Sequence, residues 1–132
     1  MNNLTKIREK VALLRVLVVD DEDELRESVI KFMKKFFTSV DSASNGAIAL
    51  AMLKEGAPYD VVLSDVRMPK MSGWELAQMI SSLDKGVFIA LMTGSPEMDG
   101  GDMEHCDIYL AKPLDLEKMQ VTLEAIIKKK GL

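Results

Sequence analysis

Five polar residues stand where short, β-rich apolar runs of the sequence end, and their side chains could do chemistry together. Asp20 and Asp21 follow the first run, Asp65 the third, Thr93 the fourth and Lys112 the fifth. Two unit charges about 4 Å apart repel by roughly 4 kcal/mol at an effective dielectric constant near 20, so three gathered carboxylates need positive charge beside them. Lys112 supplies one such charge, and carboxylate oxygens without histidine or cysteine ligands favour Mg²⁺ or Mn²⁺ as a second.

A group of this composition could receive a phosphoryl group. Mg²⁺ keeps several waters and completes its shell with phosphate oxygens, and the Lys112 ammonium and Thr93 hydroxyl would complement the other oxygens of a phosphoryl group in transfer. Asp65 could then act as a nucleophile and form an acyl phosphate. The spacing alone does not decide which aspartate is attacked. A single aspartate at a strand end is more often a helix N-cap or a turn residue, so the prediction depends on all five residues.

The elements that must position these residues are a regular alternation of strands and helices. Apolar runs predict strands at 15–19, 38–43, 60–64, 87–92 and 107–111. Apolar residues at helical spacing predict helices at 22–36, 45–54, 73–83 and 114–130. Pro96, Gly100 and Gly101 oppose a long helix between the last two strands, so we expect a short or irregular fourth helix within 94–105.

This alternation predicts an α/β fold, a doubly wound, five-stranded parallel sheet with helices on both faces. Ligands of such sheets bind beyond the carboxyl ends of the strands, which is where the five polar residues stand. We expect residues 1–13 to form an N-terminal lead-in and residues 14–132 to form the main domain. Leu4, Ile7 and Val11 lie at helical spacing, so the lead-in is expected to be frayed or a short helix.

Composition narrows the class of protein. The 132 residues include 21 acidic and 17 basic ones, a net charge of −4, which disfavours direct nucleic-acid binding. One cysteine, Cys106, and one histidine, His105, exclude a disulfide framework and a Cys/His zinc site and favour a reducing cytoplasm. No apolar run approaches the roughly 18 residues that span a bilayer, and no signal peptide is evident. We therefore expect a cytoplasmic protein that does not bind membranes.

Four motifs resemble the receiver domain of bacterial two-component response regulators. They are VLVVDDE at 16–22, VVLSDVRMPKMSG at 61–73, LMTG at 91–94 and YLAKP at 109–113, and the resemblance covers about 14–130. It implies a flavodoxin-like (βα)5 fold of the CheY-like superfamily with strand order 2-1-3-4-5. It also implies a signalling protein rather than an enzyme, one that assists its own phosphorylation and slow autodephosphorylation.

The resemblance implies a role for each acid of the site. Asp65 looks like the phosphoacceptor, which takes a phosphoryl group from a phosphohistidine on a sensor histidine kinase or a histidine phosphotransfer protein. Asp20 and Asp21 look like the acids of a Mg²⁺ site in which Mn²⁺ can substitute, Asp21 binding directly and Asp20 through water. The residue two after the phosphoacceptor, Arg67, would offer its backbone carbonyl to the metal.

The resemblance also implies a switch. Lys112 would pair with the phosphoryl oxygens, and Thr93 would move to hydrogen-bond one of them while Tyr109 turns from an outward to an inward rotamer. The Lys112–Pro113 peptide is expected to be cis, as is usual in this family. Gly73 would stand where the backbone needs either small size or a positive φ.

Other functions would need different residues at the end of the first strand, or would not use phosphorylation. A flavodoxin-like FMN binder would cradle phosphate there with backbone amides, whereas this chain has DDEDE at 20–24, and no EF-hand calcium loop is present. A phosphatase of the haloacid dehalogenase type would need a longer chain with a cap. The runner-up is a phosphorylation-independent receiver-like interaction module. The output stays open between a downstream protein and a covalently linked output domain.

Overall fold

The computed structural model describes residues 3–56, 58–83, 86–95 and 103–132, apart from the side chains of residues 3, 4 and 103. The described residues form five strands and five α-helices, with a 3-10 turn at Met103–His105. The strands are Arg15–Val19 (β1), Ser39–Ala43 (β2), Val61–Asp65 (β3), Phe88–Thr93 (β4) and Ile108–Ala111 (β5). The helices are Asn3–Val11 (α1), Asp23–Met33 (α2), Gly46–Lys54 (α3), Gly73–Leu83 (α4) and Leu116–Lys130 (α5).

The strands form one parallel sheet in the order β2-β1-β3-β4-β5, which confirms the predicted fold class and strand order. The register brings the carboxyl ends of the strands to one edge. Val19 pairs with Ala43 on one side and Ser64 on the other, Asp65 pairs with Met92, and Thr93 pairs with Ala111. Residues that directly follow the strands therefore meet at this carboxyl edge.

Two hydrophobic cores cover the two faces of the sheet. Val16 and Val18 of β1 pack into one core with α1, α2 and α5, while Leu17 and Val19 pack into the other with α3 and α4. All four side chains are completely buried. Burial on both faces explains why the central strands read as nearly continuous apolar runs.

The N-terminal lead-in forms helix α1 and packs on the sheet's first core. Val11 is completely buried, and Arg8 lies 5.7 Å from the centre of the Phe36 ring. The backbone carbonyl of Ala12 accepts hydrogen bonds from both the amide and the hydroxyl of Thr38. Tertiary contacts thus anchor this short helix, and the domain boundary after residue 13 stays a prediction.

The segment predicted to hold a short or irregular fourth helix is described only in part, and that part includes the 3-10 turn Met103–His105. Residues 96–102, which include the breakers Pro96, Gly100 and Gly101, lie outside the described residues.

The predicted helices were too long at several ends. The second helix ends at Met33 rather than residue 36, because Phe36 and Phe37 turn away to pack in the core, and the last helix begins after its N-cap Asp115. Among the described residues, no helix is both long and apolar enough to cross a bilayer.

Candidate functional site

The carboxyl edge brings the predicted acids together. Asp20 directly follows β1, Asp65 is the last residue of β3, and the side chains of Asp20, Asp21 and Asp65 each offer an oxygen within 4.8 Å of the others. Thr93 ends β4, and Lys112 directly follows β5, with the Lys112 amide donating to the Thr93 carbonyl at 2.7 Å. All five residues predicted from the strand ends therefore stand at one edge.

Asp20 is a completely buried carboxylate. Its Oδ1 accepts a hydrogen bond from the Glu22 amide at 3.0 Å. Its Oδ2 is buried without a hydrogen-bond partner among the described residues, and Lys112 Nζ lies 3.8 Å from it. A buried charged oxygen without a hydrogen bond is costly, so this atom is suited to a further cation or to water.

Lys112 pairs with two carboxylates, since its Nζ also lies 3.0 Å from Asp65 Oδ1. The pKa of Asp65 is nevertheless raised, chiefly by burial: the hydrogen bond and the charge of Lys112 lower it, and the charges of Asp20 and Asp21 raise it further. One ammonium among three carboxylates leaves the site with an excess of negative charge.

The donor set fits a Mg²⁺ ion. Three carboxylates offer hard oxygen ligands, the group contains no histidine or cysteine, and Asp20 Oδ2 is an unsatisfied buried acceptor. A divalent cation would balance the excess charge. The backbone carbonyl of Arg67 as a further ligand stays a prediction.

The loop after Asp65 is closed by the α4 N-terminus. The Gly73 amide donates to the Val66 carbonyl at 2.8 Å, and a Cβ at Gly73 would lie only 2.4 Å from the carbonyl oxygen of Asp65. Position 73 therefore requires a small residue.

The N-terminus of α4 is capped by Ser72 and Glu75. They form a capping box, in which each side chain accepts from the other's amide at 3.1 Å.

The two residues of the predicted switch lie on neighbouring strands, Thr93 at the end of β4 and Tyr109 within β5. Thr93 is almost completely buried, and its Oγ1 accepts from the Ser95 amide at 3.0 Å. The hydroxyl oxygen of Tyr109 is buried, and its ring centre lies 5.2 Å from that of Trp74. Their movement stays a prediction. The Lys112–Pro113 peptide is cis, as predicted.

Two features of the surroundings escaped sequence reasoning. The Trp74–Tyr109 contact joins α4 to β5, and no local pattern indicates such a pair. Lys118 of α5 donates from Nζ to the carbonyls of Ala111 and Pro113, both at 2.8 Å. The only signal for Lys118 is its charge in the first turn of a helix, where cations are disfavoured.

The family model of the response regulator receiver domain matches residues 16–124. The chain belongs to this family. The predicted family and fold are thus confirmed, and the receiver domain is a signalling module of two-component systems.

The similarity to known receiver-containing proteins covers most of this chain. A two-component response regulator of Arabidopsis thaliana is 35% identical over 121 residues, which are 89% of this chain and 23% of the relative. A receiver domain protein from Clostridium thermocellum superimposes with a TM-score of 0.80 at 25% identity, covering 90% of this chain and 98% of that one. The chain spans between 23% and 51% of the length of the first curated relatives it matches.

The response regulator TrrA from Thermotoga maritima is also similar. Its structure in complex with Mg²⁺ and BeF has a TM-score of 0.73 at 28% identity, covering 86% of this chain and 99% of that one. A second structure holds TrrA in complex with the histidine kinase ThkA, with a TM-score of 0.75.

Proposed function

We propose that Asp65 of this receiver domain accepts a phosphoryl group from a phosphohistidine on a sensor histidine kinase or a histidine phosphotransfer protein. The observation that carries the proposal is the convergence of Asp20, Asp21 and Asp65 within 4.8 Å, with Lys112 Nζ 3.0 Å from Asp65. A phosphoryl group on Asp65 would stand directly beside the Lys112 ammonium.

The reaction forms an Asp65 O–P bond while the P–N bond of the phosphohistidine breaks. The electron pair of that bond leaves with the imidazole. The Lys112 ammonium and the Thr93 hydroxyl hydrogen-bond phosphoryl oxygens that carry negative charge in the transition state. When bound, Mg²⁺ neutralises part of that charge. Asp20 and Asp65 lie in buried surroundings, which strengthens each of these interactions.

The Mg²⁺ ligands are proposed to be Asp21 and Asp65 directly, Asp20 through water, and the backbone carbonyl of Arg67. Mn²⁺, which takes similar oxygen ligands, can substitute. Mg²⁺ is expected to change the Trp74 fluorescence of the wild type and to raise its thermal midpoint by mass action. Asp21→Asn weakens both effects. An unchanged Mg²⁺ response in Asp21→Asn would remove Asp21 from the ligand set.

A phosphoryl group adds negative charge and acceptor oxygens at Asp65, which favours Thr93 in contact with it and Tyr109 turned inward. This shift toward the arrangement with Thr93 in contact and Tyr109 inward is then read by a downstream protein or a covalently linked output domain.

The net charge of −4 disfavours direct nucleic-acid binding by this chain, and we place it in the cytoplasm. It catalyses no reaction on other molecules and assists only its own phosphorylation and slow autodephosphorylation.

The kinase is a proposed partner because TrrA has been crystallised with a histidine kinase.

Incubation with acetyl phosphate and Mg²⁺, followed by intact mass spectrometry, tests the proposal. We expect one hydroxylamine-labile phosphoryl adduct on the wild type and none on Asp65→Asn. Asp115→Asn is the matched control, because asparagine caps a helix as well as aspartate does and labelling should persist. Absence of an adduct on the wild type would favour the phosphorylation-independent interaction module instead.

A further inference from the structure

Lys118 stands where helix electrostatics disfavour a cation. It lies in the first turn of α5, three residues after the N-cap Asp115, whose Oδ1 accepts from the Lys118 amide at 2.8 Å. The N-terminus of a helix carries partial positive charge, so lysine is expected at the other end. The lysines at 128–130 of the same helix follow that rule. A residue that breaks a local rule needs a compensating interaction.

The compensation is a pair of charge-assisted hydrogen bonds. Lys118 is half-buried, and its Nζ donates at 2.8 Å to the carbonyl of Ala111 and at 2.8 Å to the carbonyl of Pro113. Hydrogen bonds from an ammonium are stronger than those between neutral groups. Lys118 thus joins the end of β5 to the start of the turn that leads into α5.

The two carbonyls that Lys118 binds flank Lys112. Regular pairing of β5 ends at Ala111, and Pro113 has no amide hydrogen with which to anchor the turn. The Lys112 amide is held by the Thr93 carbonyl at 2.7 Å. Lys118 therefore supplies a tether on each side of Lys112, whose Nζ reaches Asp65 at 3.0 Å.

We propose that Lys118 is a positioning residue that aims Lys112 at the phosphoryl group on Asp65. Its ammonium is engaged by the two backbone carbonyls, so it acts through Lys112 and makes no bond to the phosphoryl group itself. The inference rests on the proposed phosphorylation of Asp65. Loss of the tether would leave Lys112 charged and present but poorly oriented.

The test compares Lys118→Met with Lys128→Met, a matched change at an exposed lysine near the far end of the same helix. The rate of labelling by acetyl phosphate with Mg²⁺ is measured by intact mass. We expect Lys118→Met to be labelled roughly ten-fold more slowly, because small misplacements of catalytic groups have effects of that order or larger. Lys128→Met is expected to match the wild type. If Lys118→Met does not fold, Lys118→Gln, which keeps a donor, is expected to show a smaller slowing.

A double-mutant cycle separates positioning from general destabilisation. In a Lys112→Met background, adding Lys118→Met should leave the labelling rate unchanged, because the side chain that it aims is gone. An equal slowing in both backgrounds would overturn the inference, and so would wild-type labelling of a folded Lys118 variant. Labelling of Asp65→Asn, or none of the wild type, would instead overturn the proposed function and this inference with it.

Discussion

Aspartates stand at both ends of the same sheet, and the two sets are treated differently. At the amino edge, Asp60 Oδ2 accepts from the Arg15 amide at 2.8 Å. Asp107 Oδ2 accepts from the Ile89 amide at 2.8 Å and from Lys129 Nζ at 2.9 Å. These carboxylates join neighbouring strands and helices, and each has a hydrogen-bond donor.

At the carboxyl edge, by contrast, the aspartates outnumber the positive charges beside them. Asp20 Oδ2 is buried without a hydrogen-bond partner among the described residues, and burial raises the pKa of Asp65. One ammonium, that of Lys112, lies near both carboxylates. The amino-edge acids thus stabilise the fold. The carboxyl-edge acids reduce its stability, and a bound cation would offset part of that loss.

Gly73→Ala is expected to have the largest effect, because it changes the backbone of the carboxyl edge and leaves its charges in place. The new Cβ would lie 2.4 Å from the Asp65 carbonyl oxygen, so the end of β3 must shift. We expect a loss of about 3 kcal/mol in the free energy of unfolding, measured in urea, and slower labelling by acetyl phosphate.

Gly94→Ala is the control for that change. A Cβ at Gly94 meets nothing within 4 Å, so its stability should stay within about 0.5 kcal/mol of the wild type. Equal losses in the two variants would contradict the close approach at Gly73.

Asp107→Ala tests the amino edge. It leaves the Ile89 amide without its acceptor and removes the ion-pair partner of Lys129, which keeps its hydrogen bond to the Val87 carbonyl. We expect a loss of about 2 kcal/mol in urea denaturation, with the labelling rate unchanged. Asp107→Asn keeps an acceptor and should lose less. A clear fall in the labelling rate of a folded Asp107→Ala would show that the two edges are not separable.

Tyr59→Phe probes a weaker contact near the amino edge. The Tyr59 hydroxyl donates to Asp41 Oδ2 at 2.6 Å, and burial together with this bond raises the pKa of Tyr59 to about 12. We expect a loss of about 1 kcal/mol at neutral pH. The raised pKa favours the neutral form in the fold, so this stability is present below pH 10 and is lost as the pH rises through about 12. A difference from Tyr59→Phe that persists unchanged through this range would contradict the assignment.

Asp65→Asn is expected to give the smallest change in stability, and of opposite sign. Because burial raises the pKa of Asp65, ionisation of this group costs stability as the pH rises through its folded pKa. Without Mg²⁺, the variant should therefore be more stable than the wild type at neutral pH, and the gap should narrow as the pH falls below that pKa. Urea midpoints at several pH values measure it. A less stable Asp65→Asn would mean that the Lys112 pair outweighs burial.

Much of the site could be predicted from the sequence because strand ends are visible in it. Each of Asp20, Asp65, Thr93 and Lys112 directly follows or ends an apolar run, and parallel pairing brings such positions to one edge. The roles of these residues came from the family motifs, since the spacing left the attacked aspartate open.

Features that depend on distant contacts could not be predicted in this way. Helix α1 is anchored by burial of Val11 and by the Arg8–Phe36 contact, neither of which its short sequence specifies. Lys118 in the first turn of α5 looks like a solvated lysine until the two carbonyls are placed beside it. The Trp74–Tyr109 contact likewise depends on how α4 meets β5.

The hydrogen bond from the Lys112 amide to the Thr93 carbonyl affects how fast the side chains of the site can rearrange. It extends the β4–β5 ladder to the residues that would meet a phosphoryl group, so their backbones are held as parts of one sheet. Rotation about side-chain bonds is then the motion left to them. Rotamer changes of exposed side chains take picoseconds to nanoseconds, and the Lys112 side chain is partly exposed. The first response at this edge is therefore expected to be fast compared with the exchange of a whole helix or loop.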